Sequence, residues 1–168
     1  DFFPIFFIRI KMEKYICAID SSLSRSGLAI FSRKEKLIFY SSIPTSPKLK
    51  IQERLGIIGE TLIELRKKYP CDILVIEEGF CRFFNATKAL FRVRGVVEFV
   101  FRECEIYSYS PRTIKRIVGG NAKAEKDAVA EGVMKLYPKV KLDGNFDISD
   151  AIATGITYFR VQAGDYKL

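Results

Sequence analysis

Apolar residues in this chain fall into two alternating patterns, short unbroken runs and longer stretches that repeat at helical spacing. The run Tyr15-Ile16-Cys17-Ala18-Ile19 closes on Asp20, and residues 14–20 read as a strand. A serine-rich turn at 21–26, a second strand from Gly27 to Phe31, a turn at Arg33-Lys34-Glu35 and a third strand from Lys36 to Ser42 give an antiparallel meander. Beyond Pro44 and Pro47, the residues Ile51, Leu55, Ile58, Leu62 and Leu65 recur every three or four positions. That spacing predicts an amphipathic helix over 49–68, ended by Pro70.

The stretch from Asp72 to Glu77 is almost wholly apolar, which suits a strand covered by helices on both faces. After Gly79 the pattern predicts a helix at 85–103, a strand from Glu105 to Tyr109, a short helix opened by Pro111, and helices at about 124–136 and 148–161. No internal repeat and no long linker divides this order, so residues 12–168 read as one α/β domain. Residues 1–11 are aromatic and apolar but too short to span a bilayer. With Met12 behind them they read as an N-terminal extension outside the core, not as an export signal.

Charge narrows the chemistry. Lys and Arg number 28 against 20 Asp and Glu, a net charge of +8, so the natural partner is a polyanion and not a membrane. The chain has 168 residues, 48% of them hydrophobic, enough to bury a sizeable core. It contains no histidine, which removes Ser-His-Asp and Cys-His mechanisms and imidazole metal sites and leaves carboxylates to carry any metal. Cys17, Cys71, Cys81 and Cys104 show no C-x-x-C spacing, which favours a reducing, cytoplasmic setting over a zinc site or a disulfide framework.

Within this basic chain, acids stand at the ends of elements. Asp20 and Glu77 each close an apolar strand, and Asp147 and Asp150 lie three apart on one face at a helix start. Each has an ordinary explanation: Asp20 as a turn former, Asp147 or Asp150 as a helix cap or a partner of the helix dipole. Glu77 is harder to explain, since an acid at the end of a buried strand is costly unless something positive meets it. Glu78, next in sequence, is expected on the opposite face of the sheet. Together the four acids form the pattern needed to hold divalent metal ions against a phosphate backbone.

These segments resemble the RuvC family of Holliday-junction resolvases, within the RNase H-like (retroviral integrase) superfamily, over roughly residues 14–160. The resemblance is carried by Ala18-Ile19-Asp20-Ser21-Ser22-Leu23-Ser24-Arg25-Ser26-Gly27, Val75-Ile76-Glu77-Glu78-Gly79-Phe80, Ala124-Glu125-Lys126, Asp147-Ile148-Ser149-Asp150-Ala151-Ile152-Ala153, and Asn85-Ala86, Ala89-Leu90 and Arg94-Gly95. It implies a mixed five-stranded sheet, three antiparallel strands and then two parallel ones, flanked by helices. It also implies a symmetric homodimer that nicks two opposing strands of a four-way DNA junction. The family's metal-binding acids fall on Asp20, Glu77, Asp147 and Asp150, its active-site lysine on Lys126, and the aromatic that stacks near the junction centre on Phe80. Two departures stand out. Bacterial members usually carry Pro-Gly where this chain has Ser21-Ser22, and Gln at the position of Glu78, which makes the likeness closer to phage-type members and puts the strict bacterial cleavage sequence in doubt.

The chemistry of the residues agrees. Two Mg²⁺ ions roughly 4 Å apart, with Mn²⁺ able to substitute, would turn a water into a nucleophile and stabilise a leaving 3′ oxygen, giving 5′-phosphate and 3′-hydroxyl ends. Glu77 is the candidate bridge between the ions, and Lys126 would offset charge at the attacked phosphate. Phe80 and Arg82, with Arg112, Lys115, Arg116 and Lys123 around Gly119-Gly120, are candidate DNA contacts, although such charges are often plain solvated surface. Phe91, Val96, Val97, Phe99, Val100 and Phe101 offer more apolar surface than one sheet face needs, so the 85–103 helix is the candidate dimer interface. An RNase H-type hydrolase of RNA–DNA hybrids and a non-catalytic junction-binding protein remain as alternatives.

Overall fold

The computed structural model describes residues 14–79 and 84–166, apart from the side chains of Phe84 and Ala86. The expectations for residues 1–11, Phe80 and Arg82 lie outside the described residues. In chain order the elements are β1 (Tyr15–Asp20), β2 (Arg25–Phe31), β3 (Leu37–Pro44), α1 (Ile51–Lys68), β4 (Cys71–Glu77), α2 (Phe84–Val100), β5 (Glu105–Tyr109), α3 (Pro111–Val118), α4 (Lys126–Leu136) and α5 (Phe146–Gln162).

The sheet order is β3-β2-β1-β4-β5, antiparallel across β3, β2 and β1 and parallel across β1, β4 and β5. This is the mixed five-stranded sheet that the resemblance implies. The two apolar runs become the central strands β1 and β4 because helices cover both of their faces. Ile16, Ala18, Ile73 and Val75 pack with Ile152 and Ile156 of α5 and Val129 and Val133 of α4. Cys17, Ile19, Leu74 and Ile76 face the other way, against Ile58 and Leu62 of α1 and Val93 and Val97 of α2.

The helix α5 is buried without interruption from Ser149 to Tyr158, Asp150 apart. Its hydroxyls are satisfied within the helix, Thr154 Oγ1 donating to Asp150 O at 2.8 Å and Thr157 Oγ1 to Ala153 O at 2.9 Å. Among the described residues no helix is long and apolar enough to cross a membrane.

Element ends differ from the sequence reading by one to three residues at several places. The helix α2 stops at Val100, short of the predicted residue 103, because Phe101 turns into the core, where it is fully buried beneath the Arg66 guanidinium. The helix α4 starts at Lys126, two residues later than predicted. The helix α5 starts at Phe146, two residues earlier, because Asn145 caps it by accepting from Asp147 N at 3.1 Å.

Candidate functional site

Parallel pairing of Ile19 with Ile76 sets Asp20 and Glu77, one step further on, side by side at the same end of the sheet. On the other side of β1, Asp20 pairs with Gly27 of β2. A Cβ on Gly27 would lie 1.8 Å from Asp147 O, so the missing side chain is what admits the first turn of α5 to this end of the sheet. From α4, Lys126 Nζ donates to Asp150 Oδ2 at 3.2 Å and lies 5.8 Å from the centre of the Phe146 ring. The candidate site residues Asp20, Glu77, Lys126, Asp147 and Asp150 therefore gather at one end of the sheet, although they arise from four separate elements.

Their charges interact strongly. Burial, reinforced by Asp150, Glu77 and Asp147 and opposed by Lys126, pushes the Asp20 carboxyl up to about 8. Burial and then Asp150 push Glu77 up to about 7, with Lys126 and Lys115 opposing. Asp150 is raised by burial, against the pull of Lys126. Burial works to lower the Lys126 ammonium, but Asp150, Asp20 and Asp147 outweigh it and hold the group above its usual value.

Among the described residues no set of three or more acidic, cysteine or histidine side chains stands posed to hold a metal ion. The donor chemistry still fits a hard divalent cation. The converging ligands are all carboxylate oxygens, and burial, reinforced by repulsion from the neighbouring acids, raises Asp20 and Glu77 in spite of the nearby lysines.

The ordinary explanations for these acids weaken in the folded chain. Asn145 takes the role of N-cap of α5, so neither Asp147 nor Asp150 is used as the cap residue. The turn after Asp20 is closed by serines: Ser26 Oγ donates to Ser22 O at 2.8 Å and accepts from Ser22 N at 3.1 Å. The turn is further held by Arg54 of α1, whose Nε donates to Thr45 Oγ1 at 2.8 Å and whose Nη2 donates to Leu23 O at 3.1 Å. Arg54 escapes sequence reading because its partners lie in loops distant along the chain.

Other residues take clearer roles in the folded chain. Ala18 and Val75, and by alternation Asp20 and Glu77, face α5, whereas Ile19 and Ile76 face α1 and α2. Glu78, whose N–H still donates to Tyr109 O at 2.8 Å, falls on that second face, as expected, and lines a cleft with Arg54, Ala89 and Leu90 that Asp20 and Glu77 border. Arg94 donates through Nε to Glu98 at 2.8 Å and through Nη2 to Ser108 Oγ at 3.2 Å, bracing β5 from α2. Gly119 does not offer an open backbone, because a Cβ there would lie 2.5 Å from Ala124 Cβ; the open, left-handed position is Gly120, at φ 86°.

The charge of Lys115, on α3, is felt at the acids, where it opposes the rise of both Glu77 and Asp150. Arg112 and Lys123 lie on α3 and the turn after it, with Arg116 on the same helix.

Comparison with known proteins agrees with this fold. The sequence profile described as Crossover junction endodeoxyribonuclease RuvC matches residues 16–158. The RuvC of Ehrlichia ruminantium (strain Welgevonden) is 32% identical over 152 residues, covering 85% of this chain and 94% of that protein. The RuvC of Alkaliphilus metalliredigens (strain QYMF) is 33% identical over 150 residues, covering 85% of this chain and 91% of that protein. Among solved structures, Thermus thermophilus RuvC in complex with Holliday junction substrate superposes with a TM-score of 0.79 at 23% identity, covering 90% of this chain and 96% of that one. Matched by the profile along most of its length, and similar to these relatives over nearly all of theirs, the chain belongs to the RuvC family of crossover junction endodeoxyribonucleases.

Proposed function

We propose that this protein is a metal-dependent endonuclease that resolves four-way DNA junctions by paired nicks, leaving 5′-phosphate and 3′-hydroxyl ends. The observation that carries the reading is the meeting of Asp20, Glu77, Asp150 and Lys126 at one end of the sheet, with Asp20 and Glu77 pushed up to about 8 and 7. Acids held in that state gain most when a cation replaces their protons.

Asp20, Glu77, Asp147 and Asp150 would hold Mg²⁺, as two ions, with Mn²⁺ able to substitute. Bound there, the metal supplies a Lewis acid to the phosphoryl oxygens and an activated water. Asp20 and Glu77 fix the position of the scissile phosphate relative to the sheet end. Lys126, hydrogen-bonded to Asp150, and Lys115, whose charge is felt at Glu77 and Asp150, place positive charge where the attacked phosphate accumulates negative charge. Arg112, Arg116 and Lys123 extend the positive surface along the DNA backbone. The protein works as a homodimer, one site per nicked strand, in the bacterial or virus-infected cytoplasm.

Incubation of a synthetic four-way junction with wild type and Asp20→Asn in Mg²⁺, beside an RNA–DNA hybrid, tests the reading. Paired nicks by wild type alone, on the junction in preference to the hybrid, are expected. Cutting of the hybrid alone, or nicking that survives Asp20→Asn, overturns it.

A further inference from the structure

Beside the carboxylates, on the side of the sheet covered by α1 and α2, lies a cleft of about 430 Å³ that the catalytic scheme leaves unused. Its size is within the range of about 300–1,000 Å³ common for small-ligand sites. Asp20 and Glu77 form one border, and the serine turn, Glu78, Gly79, Arg54 and Leu90 form the rest. The cleft is wide at this point because residue 79 has no side chain; a Cβ there would lie 3.0 Å from Leu90 Cδ2.

Two groups in the lining are free to meet a ligand. Ser21, directly after Asp20, makes no hydrogen bond through its hydroxyl among the described residues. Glu78 is exposed and has no ion-pair partner among the described residues, in a chain of net charge +8. An unpaired carboxylate repels phosphate, so this wall is unsuited to the DNA backbone. It accepts hydrogen bonds only, and so suits a group rich in N–H donors. Leu23 and Leu90 supply apolar surface in the same cleft, and Arg54 is fixed in the lining by Thr45 and Leu23 O.

An apolar floor, an acceptor carboxylate and a fixed guanidinium, next to where a scissile phosphate is held, match the face and edge of a nucleobase. We infer that the cleft takes one unstacked base of the nucleotides flanking the cut and that Glu78 selects a base bearing an exocyclic amino group, cytosine, adenine or guanine, over thymine. The inference rests on the nuclease reading and adds a sequence preference to it. Bases at a junction crossover have already lost part of their stacking, which makes extrusion easiest there.

The test uses full-length protein and junctions carrying each base, or an abasic site, at the positions within two nucleotides of the cut. At one position thymine and the abasic site are expected to slow nicking by about 10-fold relative to the amino-bearing bases. Glu78→Gln, whose side chain both donates and accepts, is expected to remove that discrimination against thymine. Binding is read separately with 2-aminopurine at the same position in the presence of Ca²⁺, where wild type should raise fluorescence more than Glu78→Gln does. Equal rates for all bases and the abasic site, or a base profile and fluorescence unchanged in Glu78→Gln, overturn the inference while leaving junction nicking intact. Failure of wild type to nick any junction in Mg²⁺ overturns the nuclease reading instead, and the fluorescence arm then judges the cleft by itself.

Discussion

The carbonyl oxygen of Asp147 occupies the space where a side chain on Gly27 would begin, 1.8 Å from the ideal Cβ position. Because Gly27 is also the register partner of Asp20, this close approach joins the first acid of the site to the helix that carries the last two. Gly27→Ala must push β2 and α5 apart. We expect a loss of about 2–4 kcal/mol in urea unfolding and near-complete loss of nicking, as overpacking between rigid elements predicts. A Gly27→Ala protein of wild-type stability and full activity would show that the two elements do not touch.

How much of this is legible in the sequence depends on range along the chain. The strands β1 and β4 are legible because burial on both faces leaves unbroken apolar runs, and the acids at their ends stand out against those runs. The helices with a polar face are legible from their period, with errors confined to their ends. What stays hidden depends on pairs distant in sequence: Gly27 with Asp147, Arg54 with Leu23 and Thr45, and Lys115 with Glu77. Asn145 carries a usable signal, as an N-cap residue type just before an apolar helix, and it releases both aspartates from the capping role. Glu78 follows the pattern, because pairing with β5 continues one residue past Glu77 and strand alternation continues with it.

The metal-free protein should lose stability as pH rises. Asp20 and Glu77 have folded values of about 8 and 7, well above the ordinary 3.8 and 4.5, so the folded chain holds protons that the unfolded chain releases. Their contribution is fully present below about pH 4 and is lost as pH climbs through about 7 to 8. Thermal unfolding in EDTA should therefore show a lower midpoint near pH 8.5 than near pH 6. Asp20→Asn should flatten that slope and gain about 1–3 kcal/mol at the alkaline end, and Mg²⁺ should restore wild type there. A midpoint that rises across this window would contradict the assignment of these two groups.

Removing a lysine at the site should separate chemistry from binding. Lys126 is bonded to Asp150 and sits above the Phe146 ring, so Lys126→Met keeps the packing and removes the charge. Nicking in Mg²⁺ is expected to fall about 10- to 1,000-fold, with junction affinity changed less than about threefold. Asp150→Asn should abolish nicking more completely. Equal losses in affinity and rate for Lys126→Met would assign that lysine to binding alone.

The cations Arg112, Arg116 and Lys123 should be visible in salt dependence. For each phosphate that a variant no longer neutralises, the slope of log affinity against log salt should shrink by about 0.9 on duplex arms. A double Arg116→Ala, Lys123→Ala variant is thus expected to bind weakly at low salt and to respond less steeply to added salt. Unchanged slopes would mark these side chains as plain solvated surface.

Pairing of subunits should depend on the outer face of α2. The residues Phe91 and Phe99 are 54% and 67% exposed, two turns apart on one face, and Gly95 between them has open space where a side chain would be. Two large rings left in water around a glycine are unfavourable unless another surface covers them, and Arg102, 5.2 Å from the centre of the Phe99 ring, shields only part of one. Ile63 of α1, itself 44% exposed, borders the same depression as Phe99 and widens the apolar area. Sedimentation of wild type at micromolar concentration should show a dimer, and Phe91→Glu with Phe99→Glu should yield a folded monomer. That monomer should nick single strands of a junction without pairing the cuts, since the candidate site residues all lie in one chain while coordination requires two. A wild-type protein that sediments as a monomer, or a double variant that stays dimeric, would move the interface elsewhere.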